Sequence, residues 1–142
     1  MSFMNAIDTN IYVYTMDADE PVKQSKAMAL LGQLALSPSE TVILWQVAGE
    51  FLCQLRRFEA KGLLTAAAVE AGFQRFRATF SLRLPTDGIF QASFKLRSRF
   101  SLSHWDSMLL AACQEAGVTT LYSEDMADGM NYDGVAIVNP FA

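Results

Sequence analysis

The chain has 142 residues, of which 51% are hydrophobic and 18% charged, a balance that excludes a disordered chain and predicts one globular domain over residues 1–142. Two cysteines and one histidine exclude a disulfide framework and argue against a structural zinc site. The longest uncharged run, residues 27–39, is too short to span a membrane, and the N-terminus lacks a signal-peptide pattern, so we expect a cytoplasmic protein with no membrane partner.

The net charge of −4 is spread unevenly along the chain. Residues 56–99 carry nine of the eleven Lys and Arg residues but only three of the fifteen acids. One interpretation is that these basic side chains are the solvated faces of helices. The other is that some of them line a groove that binds nucleic-acid phosphates, and the candidates for that role are Arg56, Arg57, Lys61, Arg75 and Arg77.

The first half of the chain predicts two short strands and three helices. The strands are residues 3–7 and 41–45, and the helices are residues 21–36, 46–60 and 65–80. The second strand, TVILW, is β-branched and apolar, which is typical of a buried strand. Pro21 marks a helix start, and Gly62 ends the second helix.

The second half predicts three more strands and two more helices. The strands are residues 82–84, 119–122 and 135–138, and the helices are residues 87–100 and 103–116. Gly117 suits the left-handed position that follows a helix end. Because strands alternate with helices through the whole chain, we predict an α/β fold with a mainly parallel sheet.

Four acids occupy unusual places in this scheme. Asp8 and Asp125 follow predicted strands, whereas Glu50 lies on the margin of an apolar helix stripe and Asp106 on the core-facing side of its helix. Each alone has an ordinary explanation, as an N-cap, a turn residue, a solvated flank or part of a capping box with Ser103. Together they could converge on one pocket beyond the carboxyl ends of the strands.

Such a pocket would have a definite chemistry. Two carboxylates about 5 Å apart repel by roughly 3 kcal/mol at an effective dielectric constant of 20, so four would require a cation or raised pKa values. Oxygen ligands without nitrogen or sulfur favour Mg²⁺, with Mn²⁺ as an alternative. Mg²⁺ shares its coordination shell readily with phosphates, which makes phosphodiester hydrolysis the natural reaction.

The order of these motifs resembles that of the PIN-domain ribonucleases, in particular the VapC-type toxins of toxin–antitoxin pairs. The similarity runs through Ile7-Asp8-Thr9-Asn10, Gln46-Val47 with Glu50-Phe51, and Leu102-Ser103-His104-Trp105-Asp106-Ser107. It continues through Leu121-Tyr122-Ser123-Glu124-Asp125 to the closing Val138-Asn139-Pro140-Phe141.

The resemblance implies a three-layer α/β/α sandwich and a Mg²⁺-dependent endoribonuclease that acts as a toxin. It implies that Asp8, Glu50, Asp106 and Asp125 form the catalytic, metal-binding quartet, with Asn10 and Ser123 as polar supports around it. It also implies an RNA substrate, a homodimer and a cognate antitoxin. We expect the antitoxin to dock in exposed apolar grooves near the helical hairpin 46–80.

Four further residues each have two possible roles. Glu124 adjoins Asp125, and only one of two neighbours in a strand-like segment should point inward; we favour Asp125. His104 could be a general base but is more typical of a surface or capping residue. Trp45 and Trp105 are expected in the core or at an interface rather than as stacking platforms for bases.

Three other functions are suggested by a chain with acids at its strand ends. A receiver-type signalling domain would need an acid pair after its first strand and a late lysine, but Thr9 follows Asp8 and no lysine follows Lys95. A dehalogenase-like phosphatase would need Asp-x-Asp, and Asn10 holds the second place. A non-catalytic PIN-like binding module remains compatible with every motif.

Overall fold

The computed structural model describes residues 3–142, which form six strands and six α-helices. The strands are β1 (Asn5–Ile7), β2 (Val42–Leu44), β3 (Ser81–Arg83), β4 (Thr120–Tyr122), β5 (Asn131–Tyr132) and β6 (Val135–Val138). The helices are α1 (Thr9–Tyr14), α2 (Pro21–Leu34), α3 (Trp45–Ala60), α4 (Ala66–Arg77), α5 (Gly88–Arg99) and α6 (His104–Glu115). A 3₁₀ turn, Pro38–Glu40, precedes β2.

The sheet is mainly parallel. β1 pairs with β4 and β4 with β6 in parallel, and the short β5 adds to β6 in the antiparallel direction. β2 and β3 form a second parallel pair, which a single bridge between Asn5 and Thr41 joins to β1. Helices lie on both sides of this sheet, which confirms the predicted α/β/α architecture.

The core lies where the central strands meet the helices. Ala6, Leu121 and Ile137, from three adjacent strands, are 0–1% exposed. On the helical side, the rings of Tyr12 and Phe51 pack on Phe76, each with a centroid separation of 4.7 Å. This burial is what holds the strand ends in place, because apolar contact supplies most of the stabilisation of such a fold. None of the helices within residues 3–142 has the length and hydrophobicity that crossing a bilayer requires.

Two elements were not predicted from the sequence, α1 and β5. α1 has only six residues, too few for a helical period to be visible, and its β-branched residues favour a strand. It forms because Asp8 caps its first turn and because Ile11 and Tyr12 are buried. The predicted helices 21–36 and 65–80 also end earlier than expected, at Leu34 and Arg77.

The end of α6 sets the start of β4. Gly117 has φ of 71°, and its N–H donates to the Gln114 carbonyl at 3.1 Å while the Val118 N–H donates to the Cys113 carbonyl at 2.8 Å. This pair of bonds is a Schellman cap, so the predicted role of Gly117 is confirmed. The cap turns the chain directly into the strand that carries Tyr122.

We predict that Gly117→Ala lowers the free energy of unfolding by about 1–2 kcal/mol, because a Cβ is strained in the left-handed region. Gly32→Ala, in the last turn of α2 with no side chain or other element within 4 Å of its new Cβ, should instead raise it by about 0.5 kcal/mol. Urea denaturation of both variants measures the two values. Equal changes in the free energy of unfolding of the two variants would contradict the role of Gly117 in the helix cap.

Candidate active site

Asp8 stands where β1 ends and α1 begins. Its Oδ1 accepts a hydrogen bond from the Thr9 N–H at 2.7 Å, and its Oδ2 accepts one from the Ser123 hydroxyl at 2.9 Å. Ser123 is completely buried and directly follows β4, the strand next to β1. The two residues meet because Ile7 pairs with Tyr122, and the Asp8 N–H donates to the Tyr122 carbonyl at 2.8 Å.

A second hydrogen bond joins the same two segments. The side-chain amide of Asn10 donates to Asp125 Oδ2 at 2.8 Å, although the residues are 115 positions apart. Asp125 is exposed, whereas Asp8 is half-buried. The segments 8–10 and 123–125 are therefore locked together by two side-chain bonds at the carboxyl edge of the sheet, where ligands bind in open α/β folds.

Glu50 approaches this edge from α3. It is exposed, and its Oε1 accepts a hydrogen bond from the Gln46 side chain, one turn earlier, at 2.9 Å. The pKa of Asp8 is raised from 3.8 to about 6, chiefly by burial, and the hydrogen bonds from Thr9 and Ser123 only partly oppose that rise. The negative charges of Glu50 and Asp125 contribute to the same rise, so these three acids share one electrostatic environment.

Asp106 lies in the first turn of α6. Its backbone N–H donates to the Ser103 hydroxyl at 3.2 Å, as expected of the N-terminal cap of this helix. Cys113, two turns further along the same side of α6, is completely buried, and the charge of Asp8 adds to the effect of burial in raising its pKa. That side of α6 therefore faces the end of β1, but no hydrogen bond joins Asp106 to Asp8.

The donor set suits a hard divalent cation. Within residues 3–142, no three Asp, Glu, His or Cys side chains are gathered closely enough to form a ready-made metal cluster. Mg²⁺ does not need such a cluster, since one or two carboxylates and several waters commonly hold it. The raised pKa of Asp8 shows that the pocket disfavours further negative charge, and a cation bound there would reverse that preference.

Glu124 points away from this pocket. Its Oε1 accepts a hydrogen bond from the Tyr14 hydroxyl at 2.6 Å, and its Oε2 forms an ion pair with Lys23 Nζ at 2.7 Å. Burial opposes ionisation, but the hydrogen bonds from Lys23 and Tyr14 outweigh it and lower the pKa of Glu124. Of the two adjacent acids, Asp125 is thus the one on the side of Asn10.

Lys23 and Tyr14 were not singled out from the sequence. Lys23 is one of only two basic residues outside residues 56–99, and it lies beside the acidic run Asp17–Glu20. This isolation of Lys23 from the other basic residues was the one sequence feature that could have singled it out. Its partner Glu124 is 101 positions away, and no local pattern predicts such a pair.

The basic candidates lie on α3 and α4. Arg56, Arg57, Lys61 and Arg75 are exposed and Arg77 is half-buried, and none of the five forms an ion pair in the part of the chain that the structure describes. Arg57 follows Glu50 by two helical turns, about 10 Å, on the same side of α3, and Lys61 continues that row. Arg56 lies about 120° around the helix from Glu50 and so outside this row.

The two tryptophans are not in the core. Trp45 is 55% exposed and Trp105 is 64% exposed, so the expectation that they lie in the core is wrong, and the interface expectation stays a prediction. Both line an apolar groove of about 460 Å³ together with Leu84, Phe90 and Met108. We name this surface the tryptophan groove. His104 is exposed and packs edge-on against Trp105 at 4.6 Å, which is typical of a surface residue.

The sequence matches the family model of the PIN domain over residues 6–127, and the chain therefore belongs to the PIN domain family. This finding confirms the resemblance, and the receiver and phosphatase interpretations are not retained. The sheet continues beyond the matched range, since β5 and β6 lie at 131–138. No match was found among curated proteins.

Solved structures share the fold at low sequence identity. A toxin–antitoxin complex from Klebsiella pneumoniae has a TM-score of 0.65 and 21% identity, covering 96% of this chain and 97% of that one. VapBC2 from Rickettsia felis, bound to promoter DNA, gives 0.70 and 12%, covering 95% and 97%. VapC20 from Mycobacterium tuberculosis, a toxin that cleaves the sarcin–ricin loop, gives 0.63 and 17%, covering 85% and 89%.

The raised pKa of Asp8 predicts a pH-dependent difference in metal-free stability. The folded protein holds the Asp8 proton up to about pH 6 and the unfolded chain only to about 3.8, so stability falls as pH rises through this window. Asp8→Asn removes this loss. We expect the variant to match the wild type near pH 4 and to exceed it by on the order of 2–3 kcal/mol at pH 7.

Urea denaturation at several pH values in the presence of chelator measures this difference. Asp19→Asn, which changes an exposed acid on the loop before α2, is the matched control and should leave the pH profile unchanged. Parallel profiles for Asp8→Asn and the wild type between pH 4 and 7 would show that Asp8 is not held in a charge-disfavouring pocket.

Proposed function

We propose that the protein is a Mg²⁺-dependent endoribonuclease and the toxin component of a toxin–antitoxin pair. The observation that carries this proposal is that the charges of Glu50 and Asp125 act on Asp8 at the carboxyl edge of the sheet, where Ser123 bonds to Asp8 and Asn10 bonds to Asp125. Family membership supports a nuclease, and the structural neighbours include a toxin that cleaves the sarcin–ricin loop.

In this proposal Asp8, Asp106, Asp125 and Glu50 would hold the metal, with Mn²⁺ able to replace Mg²⁺. The bound ion would acidify a water molecule and stabilise charge on the phosphoryl oxygens. Ser123 fixes Asp8 Oδ2 and leaves the remaining lone pairs of the Asp8 carboxylate available to a metal. Asn10 fixes Asp125 Oδ2 and leaves Asp125 Oδ1 available. Glu50 Oε2, which Gln46 leaves free, would accept the proton of the attacking water.

RNA would approach along α3. Arg57 and Lys61 lie on the side of α3 that carries Glu50, so phosphates bound there lead to the acids. Arg56, Arg75 and Arg77 would add attraction from neighbouring surfaces. Such contacts give affinity that depends on salt and not on sequence, and unpaired bases would supply the choice of cleavage site.

We propose two protein partners, a cognate antitoxin and a second copy of the chain. The neighbours from Klebsiella pneumoniae and Rickettsia felis are toxin–antitoxin assemblies, which supports a cognate antitoxin for this chain, with the hairpin of α3 and α4 as the docking region. A second copy of the chain is the occupant that we propose for the tryptophan groove, since the resemblance to VapC-type toxins implies a homodimer and Trp45, Phe90 and Trp105 are exposed around this groove. We propose that the protein acts in the cytoplasm.

A non-catalytic PIN-like binding module is the second candidate. It is favoured by the separation of the acids, because no three of them are gathered as a metal cluster within residues 3–142. A module would keep the acids for contact with a basic partner. RNA cleavage distinguishes the two functions directly.

We predict that the purified protein cleaves RNA in Mg²⁺ and that chelator stops it. Asp8→Asn and Asp106→Asn should reduce cleavage by at least about 100-fold, because each removes a negative charge from the proposed metal site. Glu50→Gln should do the same, whereas Glu59→Gln, an exposed acid on the same helix, should keep wild-type activity.

Mapping of cleaved ends in total cellular RNA after induction, beside Asp8→Asn, gives the substrate and the site. Activity that survives chelator and all three variants would identify a contaminating nuclease. Its complete absence in the wild type at any divalent ion concentration would leave the binding module.

We also predict that Mg²⁺ raises the melting temperature of the wild type. At 100 times the dissociation constant, binding to the folded state contributes about 2.7 kcal/mol, which corresponds to several degrees for a domain of this size. Asp8→Asn and Asp106→Asn should shift much less than the wild type, and Glu59→Gln by the full amount. Equal shifts in all four proteins would place the ion elsewhere.

A further inference from the structure

The three residues after β4 each hold a different part of the chain. Ser123 donates to Asp8 at 2.9 Å, Glu124 bonds to Tyr14 and Lys23 at 2.6 and 2.7 Å, and Asp125 accepts from Asn10 at 2.8 Å. Ser123 and Asp125 bond to Asp8 and Asn10, around the start of α1, whereas the intervening Glu124 bonds to Tyr14 at the end of α1 and to Lys23 on α2. The middle residue therefore fixes the rotation of the segment that carries its two neighbours.

Lys23 is itself held from several sides. Its Nζ donates to the Tyr14 hydroxyl at 3.3 Å and lies 4.9 Å from the centre of the Tyr14 ring and 5.8 Å from that of Phe141. Tyr14 and Phe141 pack edge to face at 5.2 Å. We name Tyr14, Lys23, Glu124 and Phe141 the strap cluster.

The ion pair at the centre of the strap cluster is partly shielded from water. The side chain of Glu124 is 20% exposed and that of Lys23 is 36% exposed. Both oxygens of Glu124 are bonded, one to a hydroxyl and one to an ammonium group, so the carboxylate has one favoured orientation. A fully exposed pair would not restrain the segment in this way.

We propose that Lys23 and Glu124 are positioning residues, which act through the segment 123–125 to set Ser123 against Asp8 and Asp125 against Asn10. The inference rests on the proposed function, because its effect is on metal binding and cleavage. Without the ion pair, the segment keeps the bond from Ser123 to Asp8 and the bond from Asn10 to the exposed Asp125, but it loses the contact between these two. The segment then rotates away from the pocket for part of the time, and metal affinity and the catalytic rate fall together.

The test compares Lys23→Met and Glu124→Ala with the conservative Lys23→Arg. Lys26→Met is the matched control, since it removes an exposed lysine from the same helix one turn later. Three quantities are measured: the affinity for Mn²⁺ alone, kcat and KM on RNA, and hydrogen exchange of the amides of residues 123–126.

We expect Lys23→Met and Glu124→Ala to weaken Mn²⁺ binding about 10-fold or more, as loss of a group that supports metal ligands does. We expect kcat to fall by a similar factor, KM to stay within about 2-fold, and amide exchange at 123–126 to accelerate. Lys23→Arg should restore all three quantities, and Lys26→Met should leave them unchanged.

Two results would overturn the proposal. A raised KM with unchanged kcat and Mn²⁺ affinity would make Lys23 a contact for RNA phosphate. A lower melting temperature with unchanged Mn²⁺ affinity and amide exchange would make the strap cluster a stabilising contact only. If the wild type neither binds Mn²⁺ nor cleaves RNA, the proposed function fails, and unchanged exchange at 123–126 in Lys23→Met would separately refute the positioning role.

Discussion

The parallel pairing of β1 with β4 is the interaction on which the site depends. The strands are separated by more than a hundred residues, and their register places Ile7 opposite Tyr122. Every polar contact between the segments 8–10 and 123–125 follows from that register. A shift of one residue would turn Ser123 away from Asp8 and expose buried side chains, so the register is enforced by the core.

The fold holds Asp8 in a place where its ionised form is unfavourable. Burial and two neighbouring acids make the ionised form of Asp8 unfavourable, while two hydrogen bonds hold its oxygens in fixed positions. A group that is both restrained and electrostatically unfavourable is characteristic of binding and catalytic sites. The buried central residues of the surrounding strands, Ala6, Leu121 and Ile137, supply the rigidity that keeps it there.

The sequence was sufficient for most of the architecture because strand and helix periods are local properties. The buried strand at 42–44, the long helices and the Gly117 cap all lie close to where their patterns place them. α1 escaped prediction because it is stabilised by Asp8 and by burial rather than by its own sequence. Because adjacent residues of an extended segment point to opposite sides, the sequence predicts that only one of the acids at 124 and 125 faces the pocket. The partners of Glu124, which are distant in sequence, show that it is Asp125.

The strands at the two borders of the sheet are short. β5 has two residues and runs against its neighbour, and β3 has three residues, of which two are exposed. Short edge strands offer few free backbone donors and acceptors, so pairing with a strand of another chain and amyloid-like stacking are disfavoured. Recognition of other macromolecules is thereby assigned to helix faces and loops, where side chains rather than main-chain ladders decide which partner fits.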